Sequence, residues 1–195
     1  MAIGRPRAFD KDQALDQALH VFWEKGYEGT SIADLAAAMG INPPSLYAAF
    51  GNKEALFKKA LERYEAKRDA FFAEAFAAPT AREAMARLLD GTVELLSDKR
   101  TPQGCLMVQG ALCGGEACEG VKQDLASRRL AGEVLIRGRL KLAKREDDLP
   151  AEADPAALAS YVATVMQGMA VQASGGATAK QLRKIARLAL RAWPE

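Results

Sequence analysis

The chain has 195 residues, of which 49% are hydrophobic and 27% are charged, and its formal net charge is +2. This composition excludes a chain that is disordered throughout, and the nearly neutral charge excludes a polybasic nucleic-acid binder and an acidic solvating tail. Its three cysteines are too few, and odd in number, for a secreted disulfide scaffold.

The order of apolar residues predicts an all-α chain of about nine helices, because no period-2 alternation of β-branched residues occurs. Asp10 is placed to cap a first helix, whose apolar stripe ends at Gly26. Thr30 is placed to cap a short second helix over residues 31–39, and Gly40 ends that helix.

The next segment has the pattern of a helix-turn-helix. Asn42 can cap a third helix with Pro43 and Pro44 in its first turn, where a missing N–H group breaks no helical hydrogen bond. Leu46 and Phe50 are one turn apart and are predicted to face inward. The opposite side is short and small-sided, with Ser45, Ala48 and Ala49, as is expected of a helix that enters a DNA major groove about 12 Å wide. An ordinary helical hairpin is the alternative for this pattern alone.

Further helical segments follow along the chain. A long helix begins at Asn52 and ends before Pro79, and a short apolar segment over residues 105–113 follows Pro102. Other helices are predicted over residues 81–97, 121–144, 156–175 and 179–192. The inward side of the last helix is predicted to consist of Leu182, Ile185, Leu188 and Ala189, opposite a basic outer side.

Four stretches around the helix-turn-helix pattern form one motif: residues 26–36, Gly40-Ile41, Ser45-Leu46-Tyr47 and residues 50–57. This motif resembles the DNA-binding domain of the TetR/AcrR family of transcriptional regulators. The resemblance covers the N-terminal third of the chain, and the remainder is similar to the family only in length, helical character and segment order. The chain departs from the family at Pro43 and Ala49, where members often carry a basic residue and a His or Tyr.

The resemblance implies a dimeric repressor that binds a palindromic operator in double-stranded DNA. Residues 1–51 are then the helix-turn-helix DNA-binding domain, and residues 52–195 are a helical domain for ligand binding and dimerisation. Nine residues take DNA contacts by position: Arg5, Arg7, Thr30, Ser31, Pro44, Ser45, Tyr47, Ala48 and Lys53. Thr30, Ser31 and Lys53 would contact phosphates, the first two at a helix N-terminus. Pro44, Ser45 and Ala48 would lie against bases, Tyr47 against a base or a phosphate, and the two arginines along the DNA.

An effector site for an unknown small apolar molecule is also implied by the resemblance. Its predicted lining is Phe71, Phe72, Met85, Leu88, Leu89, Thr92, Cys105, Met107, Val108, Gln109 and Leu112. From the residues alone, the same set is equally consistent with a solid core.

The uncharged helix over residues 156–175 is typical of a homodimer interface, because obligate interfaces exclude charge and small residues let helices approach. Together with the last helix it would form a four-helix bundle about a two-fold axis. The predicted interface residues are Tyr161, Val165, Gly168, Met169, Gln172, Leu182, Ile185 and Leu188. A central core helix of a monomer is the alternative.

Other functions are weighed against this one. A repressor of the same fold that senses oxidants or electrophiles through Cys105 is one alternative, and a helical protein-interaction module is a more remote one. Cys113 and Cys118 lack the spacing and the His partner of a metal site, and the single histidine, His20, has no catalytic neighbours in the sequence. We expect no enzyme activity, no cofactor and no metal.

The N-terminus lacks the apolar core of a signal peptide. Residues 156–179 contain no charged residue, but Ser160, Gln167 and Gly175-Gly176 make this stretch too polar to span lipid. We therefore expect a cytoplasmic protein without a membrane segment.

Overall fold

A computed structural model describes residues 9–109 and 119–194. In these residues the chain forms nine helices and no strand, which confirms the all-α prediction. The helices are α1 (Lys11–Gly29), α2 (Ile32–Met39), α3 (Pro43–Phe50), α4 (Lys53–Phe76), α5 (Ala81–Leu96), α6 (Leu106–Gln109), α7 (Glu119–Arg145), α8 (Pro155–Ser174) and α9 (Ala179–Arg191).

The chain divides into two compact units, Met1–Ala66 and Lys67–Glu195. The long helix α4 begins in the first unit and ends in the second. The functional division at residues 51 and 52 stays a prediction, because compactness alone does not say which part of α4 belongs to which function.

Two of the three predicted caps, Asp10 and Asn42, are found at helix starts. The side chain of Asp10 accepts hydrogen bonds from the backbone N–H groups of Asp12 and Gln13, and Asn42 accepts one from Ser45. Asp154 likewise caps α8. These side chains satisfy N–H groups that lack a partner inside the helix, so the chain marks these helix starts locally.

The boundary between α1 and α2 differs from the prediction. Ser31, not Thr30, caps α2, and with Asp34 it forms a reciprocal capping box. Thr30 is only 1% exposed, and its hydroxyl donates a hydrogen bond to the carbonyl of Gly26 at 2.6 Å. The helical turns also continue to Gly29, interrupted at Gly26, whose φ of 72° and ψ of 171° only glycine adopts at low cost.

In the first unit, an aromatic contact and a bidentate ion pair join α1 to α4. The buried ring of Phe22 meets that of Phe57 edge to face, with 4.9 Å between centroids, and thereby joins α1 to α4. Arg63 on α4 donates two hydrogen bonds of 2.6 Å to the carboxylate of Asp16 on α1. This bidentate geometry fixes both the spacing and the rotation of the two helices.

In the second unit, α5 packs against α7, α8 and α9. The core includes Met85, Leu88 and Leu89 of α5. On α9, the inward residues are Leu182, Ala186 and Ala189, with Ile185 half-buried. The prediction that Leu188 faces inward is wrong: its side chain is 60% exposed, because the buried sector of α9 is narrower than the apolar stripe.

No helix of the described residues is both long and apolar enough to traverse a lipid bilayer.

Candidate nucleic-acid interface

A tight turn joins α2 to α3. Gly40 has a φ of 65°, and its N–H donates to the carbonyls of Ala36 and Ala37, which closes the C-terminus of α2. The N–H of Ile41 donates to Ala36 at 3.1 Å, and Asn42 caps the next helix immediately afterwards. Because glycine adopts this left-handed conformation without strain, the chain reverses within three residues. This is the turn that a helix-turn-helix needs.

The two sides of α3 have opposite character. Leu46 and Phe50 are buried, and the ring of Phe50 lies 6.1 Å from that of Phe9. The other side is exposed and uncharged: Pro43, Pro44, Tyr47 and Ala48 are exposed, and Ser45 and Ala49 are half-buried. Tyr47, at 50% exposure, is the only large side chain on it. The outer face of α3 is therefore narrow enough to approach base edges closely, with one phenolic hydroxyl to donate or accept.

The N-terminus of α2 carries its own carboxylate. Asp34 accepts hydrogen bonds from the backbone N–H and the hydroxyl of Ser31, at 2.9 and 2.6 Å, and forms an ion pair of 2.7 Å with Lys25. The bond from Lys25 and those from Ser31 hold the pKa of the Asp34 carboxyl well below its usual range. Lys25 thus offsets a negative charge that would otherwise repel a phosphate at this helix end. The local sequence pattern does not reveal Lys25, because it lies nine residues away on α1.

Of the two residues predicted to hold a phosphate here, only Ser31 is exposed. The side chain of Thr30 is buried and its hydroxyl is engaged with Gly26. Its predicted DNA contact stays a prediction, and this burial does not favour it.

The N-terminus of α4 presents Lys53 in a fixed position. Asn52 caps the helix by accepting a hydrogen bond from the N–H of Ala55 at 2.8 Å. The ammonium of Lys53 lies 4.5 Å from the ring centroid of Tyr27, and that ring lies 5.0 Å from Phe57. This cation–π contact holds the lysine beside the positive end of the helix. Tyr27 belongs to the sequence motif, but its link to Lys53 follows only from the packing of α1 on α4.

Arg5 and Arg7 lie outside the described residues, and so does Leu112 of the predicted effector site. Among the other residues of that site, Phe72, Met85, Leu88 and Leu89 belong to the core of the second unit, and Met107 and Thr92 are also buried. The Thr92 hydroxyl donates to the carbonyl of Leu88. Phe71, Cys105, Val108 and Gln109 are half-buried, and the Gln109 amide donates to the carbonyl of Gln103.

The described residues also form an open groove of about 1030 Å³ between α4 and α5. It shares only Phe71 with the predicted effector site, and its rim is mostly acidic. The groove is lined by Phe71, Glu74, Ala75, Glu83, Ala86, Arg87, Asp90, Gly91, Glu94, Leu95, Asp98 and Arg100.

The predicted dimer residues fall into two groups. Tyr161, Gly168 and Gln172 of α8 and Leu188 of α9 are exposed, while Val165 and Ile185 are half-buried. Met169 and Leu182 have no exposed surface and belong to the core of the protomer, so a partner could not touch them. Of the predicted interface residues, only the exposed and half-buried ones remain accessible to a partner. The exposed Val171 of α8 lies among them.

Cys105 is half-buried, whereas Cys113 and Cys118 lie outside the described residues. His20 is exposed on α1. Within residues 9–109 and 119–194, no group of three or more potential metal ligands occurs.

The arrangement of α1 to α3, with a glycine turn before a short helix that has an exposed, uncharged face, defines a DNA-binding helix-turn-helix domain. Comparison with known proteins gives the family. Residues 14–60 match the family described as bacterial regulatory proteins, tetR family. The HTH-type transcriptional repressor ComR of Escherichia coli K12 is 36% identical over 197 residues, which cover 98% of this chain and 92% of ComR. The repressor BdcR of the same organism is 30% identical, covering 95% and 90% of the two chains.

A solved structure is also closely similar. A cysteine mutant of the TetR family regulator CifR, complexed with 26-base-pair operator DNA, superposes with a TM-score of 0.94. It is 44% identical and covers 98% of this chain and 100% of CifR. The chain therefore belongs to the TetR family of bacterial regulatory proteins.

Proposed function

We propose that this chain is a transcriptional repressor, and not an enzyme, which binds a palindromic operator as a homodimer and leaves it when a small apolar effector binds. The outer face of α3 is the observation that carries the proposal. It combines exposed Pro44, Tyr47 and Ala48 with buried Leu46 and Phe50 on the opposite side. CifR, which matches this chain over nearly its whole length, was solved in complex with operator DNA, and this supports binding of operator DNA by this chain.

In this proposal the DNA contacts divide by chemistry. Ser31 and Lys53 lie at the N-termini of α2 and α4, where helix dipoles favour phosphate, so they position the domain on the backbone. Pro44, Ser45 and Ala48 meet bases or thymine methyl groups, and Tyr47 donates a hydrogen bond. Because α3 carries no charged residue, the charged contacts are those to the DNA backbone. They set the position of the domain on the operator and contribute no base specificity.

The test begins with selecting the fragments of genomic DNA that the protein retains, and these fragments supply the operator for all later binding measurements. Tyr47→Phe removes only the hydroxyl and is expected to weaken binding of the dimer to that operator by about 30-fold, because one net hydrogen bond of about 1 kcal/mol is lost in each of two protomers. His20→Ala, also exposed but on α1, is the matched control and leaves binding unchanged. If neither variant changes the affinity at several salt concentrations, Tyr47 has no such role.

The homodimer is supported by the uncharged exposed side of α8. Tyr161, Thr164, Gly168, Val171 and Gln172 form one helical face, and Leu188 of α9 adds a large apolar side chain. The Tyr161 hydroxyl also donates to the carbonyl of Ala189 at 3.2 Å, so the two helices are joined. An exposed apolar face without charge is typical of a homodimer interface.

Leu188→Asp tests this pairing. A carboxylate introduced into the centre of the interface would lose its water without gaining a partner, so the variant is expected to be monomeric by light scattering. Leu95→Asp changes a similarly exposed leucine of α5 and keeps the mass of the parent. If Leu188→Asp remains dimeric, the interface lies elsewhere.

The effector is proposed to act on residues 52–195, with the helix-turn-helix in residues 1–51. Because α4 belongs to both compact units, a shift of α4 changes the spacing of the two recognition helices in the dimer, and half-sites one helical turn apart then no longer match. A ligand that prefers the released form 100-fold supplies about 2.7 kcal/mol. Screening apolar compounds for release of the selected operator tests this step.

A further inference from the structure

The outer side of α7 is an exposed apolar surface outside α8 and α9, the two helices proposed above for the homodimer. Of the nine large hydrophobic side chains that are exposed in the described residues, four lie on this helix: Leu130, Val134, Leu135 and Leu142. Leu130 is 58% exposed, more than any of these nine side chains except Leu188. Every exposed residue between positions 126 and 140 is uncharged.

Two charged side chains of this stretch bond to neighbouring elements, and Arg137, one turn from Val134, is half-buried. The carboxylate of Glu133 accepts a hydrogen bond from the Ser160 hydroxyl on α8. Arg139 donates to the carbonyls of Phe76 and Ala78, at 3.2 and 3.1 Å. A stretch whose exposed residues are all uncharged, and which exposes Leu130, Val134 and Leu135, has the distribution expected of an interaction face rather than of a solvated one.

The order of residues on this face indicates its occupant. Val134 is one turn from Leu130 on one side and one turn from Gly138 on the other. A Cβ built on Gly138 would meet nothing within 4 Å, so the surface is open there. If two copies of α7 lie antiparallel with Val134 on the two-fold axis, each Leu130 lies level with the partner's open Gly138. A large side chain then faces a small one at each end of the contact, which makes the face complementary to itself.

Charge also favours the antiparallel direction. Lys141 and Arg145 are exposed on the last turns of α7. A parallel pair would place each of them beside its own copy. In the antiparallel pair centred on Val134, Lys141 lies level with Ser127 and Arg145 level with Gln123, which are both uncharged. The repulsion between like charges is thereby avoided.

We propose that the outer face of α7 is a second contact between copies of this chain, which joins two dimers through antiparallel α7 helices centred on Val134. The contact is isologous, and it is separate from the pairing through α8 and α9. When the two-fold axes of the two contacts intersect at a right angle, the assembly closes at four chains. Two operators, or two parts of one operator, are then held by one assembly.

Cysteine cross-linking tests the register directly. Val134→Cys places two thiols at the axis, and mild oxidation is expected to give covalent pairs at least about fivefold above the parent chain, whose own cysteines set the baseline. Leu142→Cys is the matched control: it is similarly exposed, but it lies about 12 Å along the helix from the axis, so its two copies are about 24 Å apart and stay at the baseline.

A second measurement uses the unmodified chain. Light scattering at rising concentration is expected to show a mass moving from two chains towards four, and Val134→Asp keeps the lower mass while retaining full operator binding. Val134→Cys at the parent's baseline, or equal cross-linking by Leu142→Cys, would overturn the proposal. If Val134→Cys stays at the baseline, a different partner covers α7. Because Leu188→Asp tests the other pairing, failure of one contact leaves the other interpretable.

Discussion

Replacing Lys53 by methionine separates its structural role from its role on DNA. Methionine keeps the length of the side chain and its contact with the Tyr27 ring, so only the charge held 4.5 Å from that ring is lost. An exposed cation–π contact is worth about 0.5–1 kcal/mol, so the free energy of unfolding should fall by no more than about 1 kcal/mol. Denaturant titration measures this fall.

The effect on DNA is expected to be larger. Each phosphate contact contributes about 0.9 to the slope of log affinity against log salt, so two protomers lose about 1.8 from that slope. Over the decade from about 1 M to 0.1 M salt, this change of slope corresponds to about 60-fold in affinity, or roughly 2.5 kcal/mol. Lys59→Met removes an exposed charge from the same helix and serves as the control. A slope that changes equally in the two variants, or in neither, would refute the assignment of a phosphate to Lys53.

Three further variants test the helix-turn-helix itself. Leu46→Ala removes a fully buried side chain of α3 and is expected to lower the free energy of unfolding by about 3 kcal/mol; a loss below about 1 kcal/mol in denaturant titration would show that the core does not depend on it. Gly40→Ala places a Cβ at a φ of 65° and should cost roughly 1–2 kcal/mol, measured as a lower melting temperature; an unchanged value would mean that the turn has another conformation. Asp34→Asn should lower the melting temperature at neutral pH. Since folding depresses the pKa of Asp34, its contribution is complete above about pH 5 and is lost as the pH falls below about 4. The gap between parent and variant should therefore close in acid, and a gap independent of pH would contradict the ion pair with Lys25.

Helix starts were predictable where the capping residue acts on its own helix. Asp10 and Asn42 satisfy N–H groups two or three residues ahead, so the sequence contains the whole interaction. Thr30 and Ser31 are neighbours that can both cap, and the choice depends on the burial of Thr30 against the carbonyl of Gly26. That choice is a tertiary effect, which a local pattern does not contain.

The exposed faces were harder to predict than the helices. Periodicity identifies an apolar stripe but not how much of it the neighbouring helices cover, so the pattern places Leu188 in the core although it is exposed. The exposed apolar face of α7 was not predicted, because the many charged residues of this helix suggest that it is solvated. Glu133 and Arg139 are in fact engaged with α8 and with the end of α4 and the segment after it, which leaves the leucines outside. The contact of Lys53 is likewise absent from the local sequence pattern, because its partner Tyr27 lies far away in the sequence on α1.

The central claim is that the outer face of α3 lies against the bases of the operator, and photo-cross-linking tests it most directly. A benzophenone amino acid at Ala48, an exposed position on that face, is predicted to give a covalent adduct with base positions of each half-site on irradiation. The same group at His20, exposed on α1, is predicted to give none. Adducts from His20 together with none from Ala48, in a complex that still binds the operator, would contradict the account.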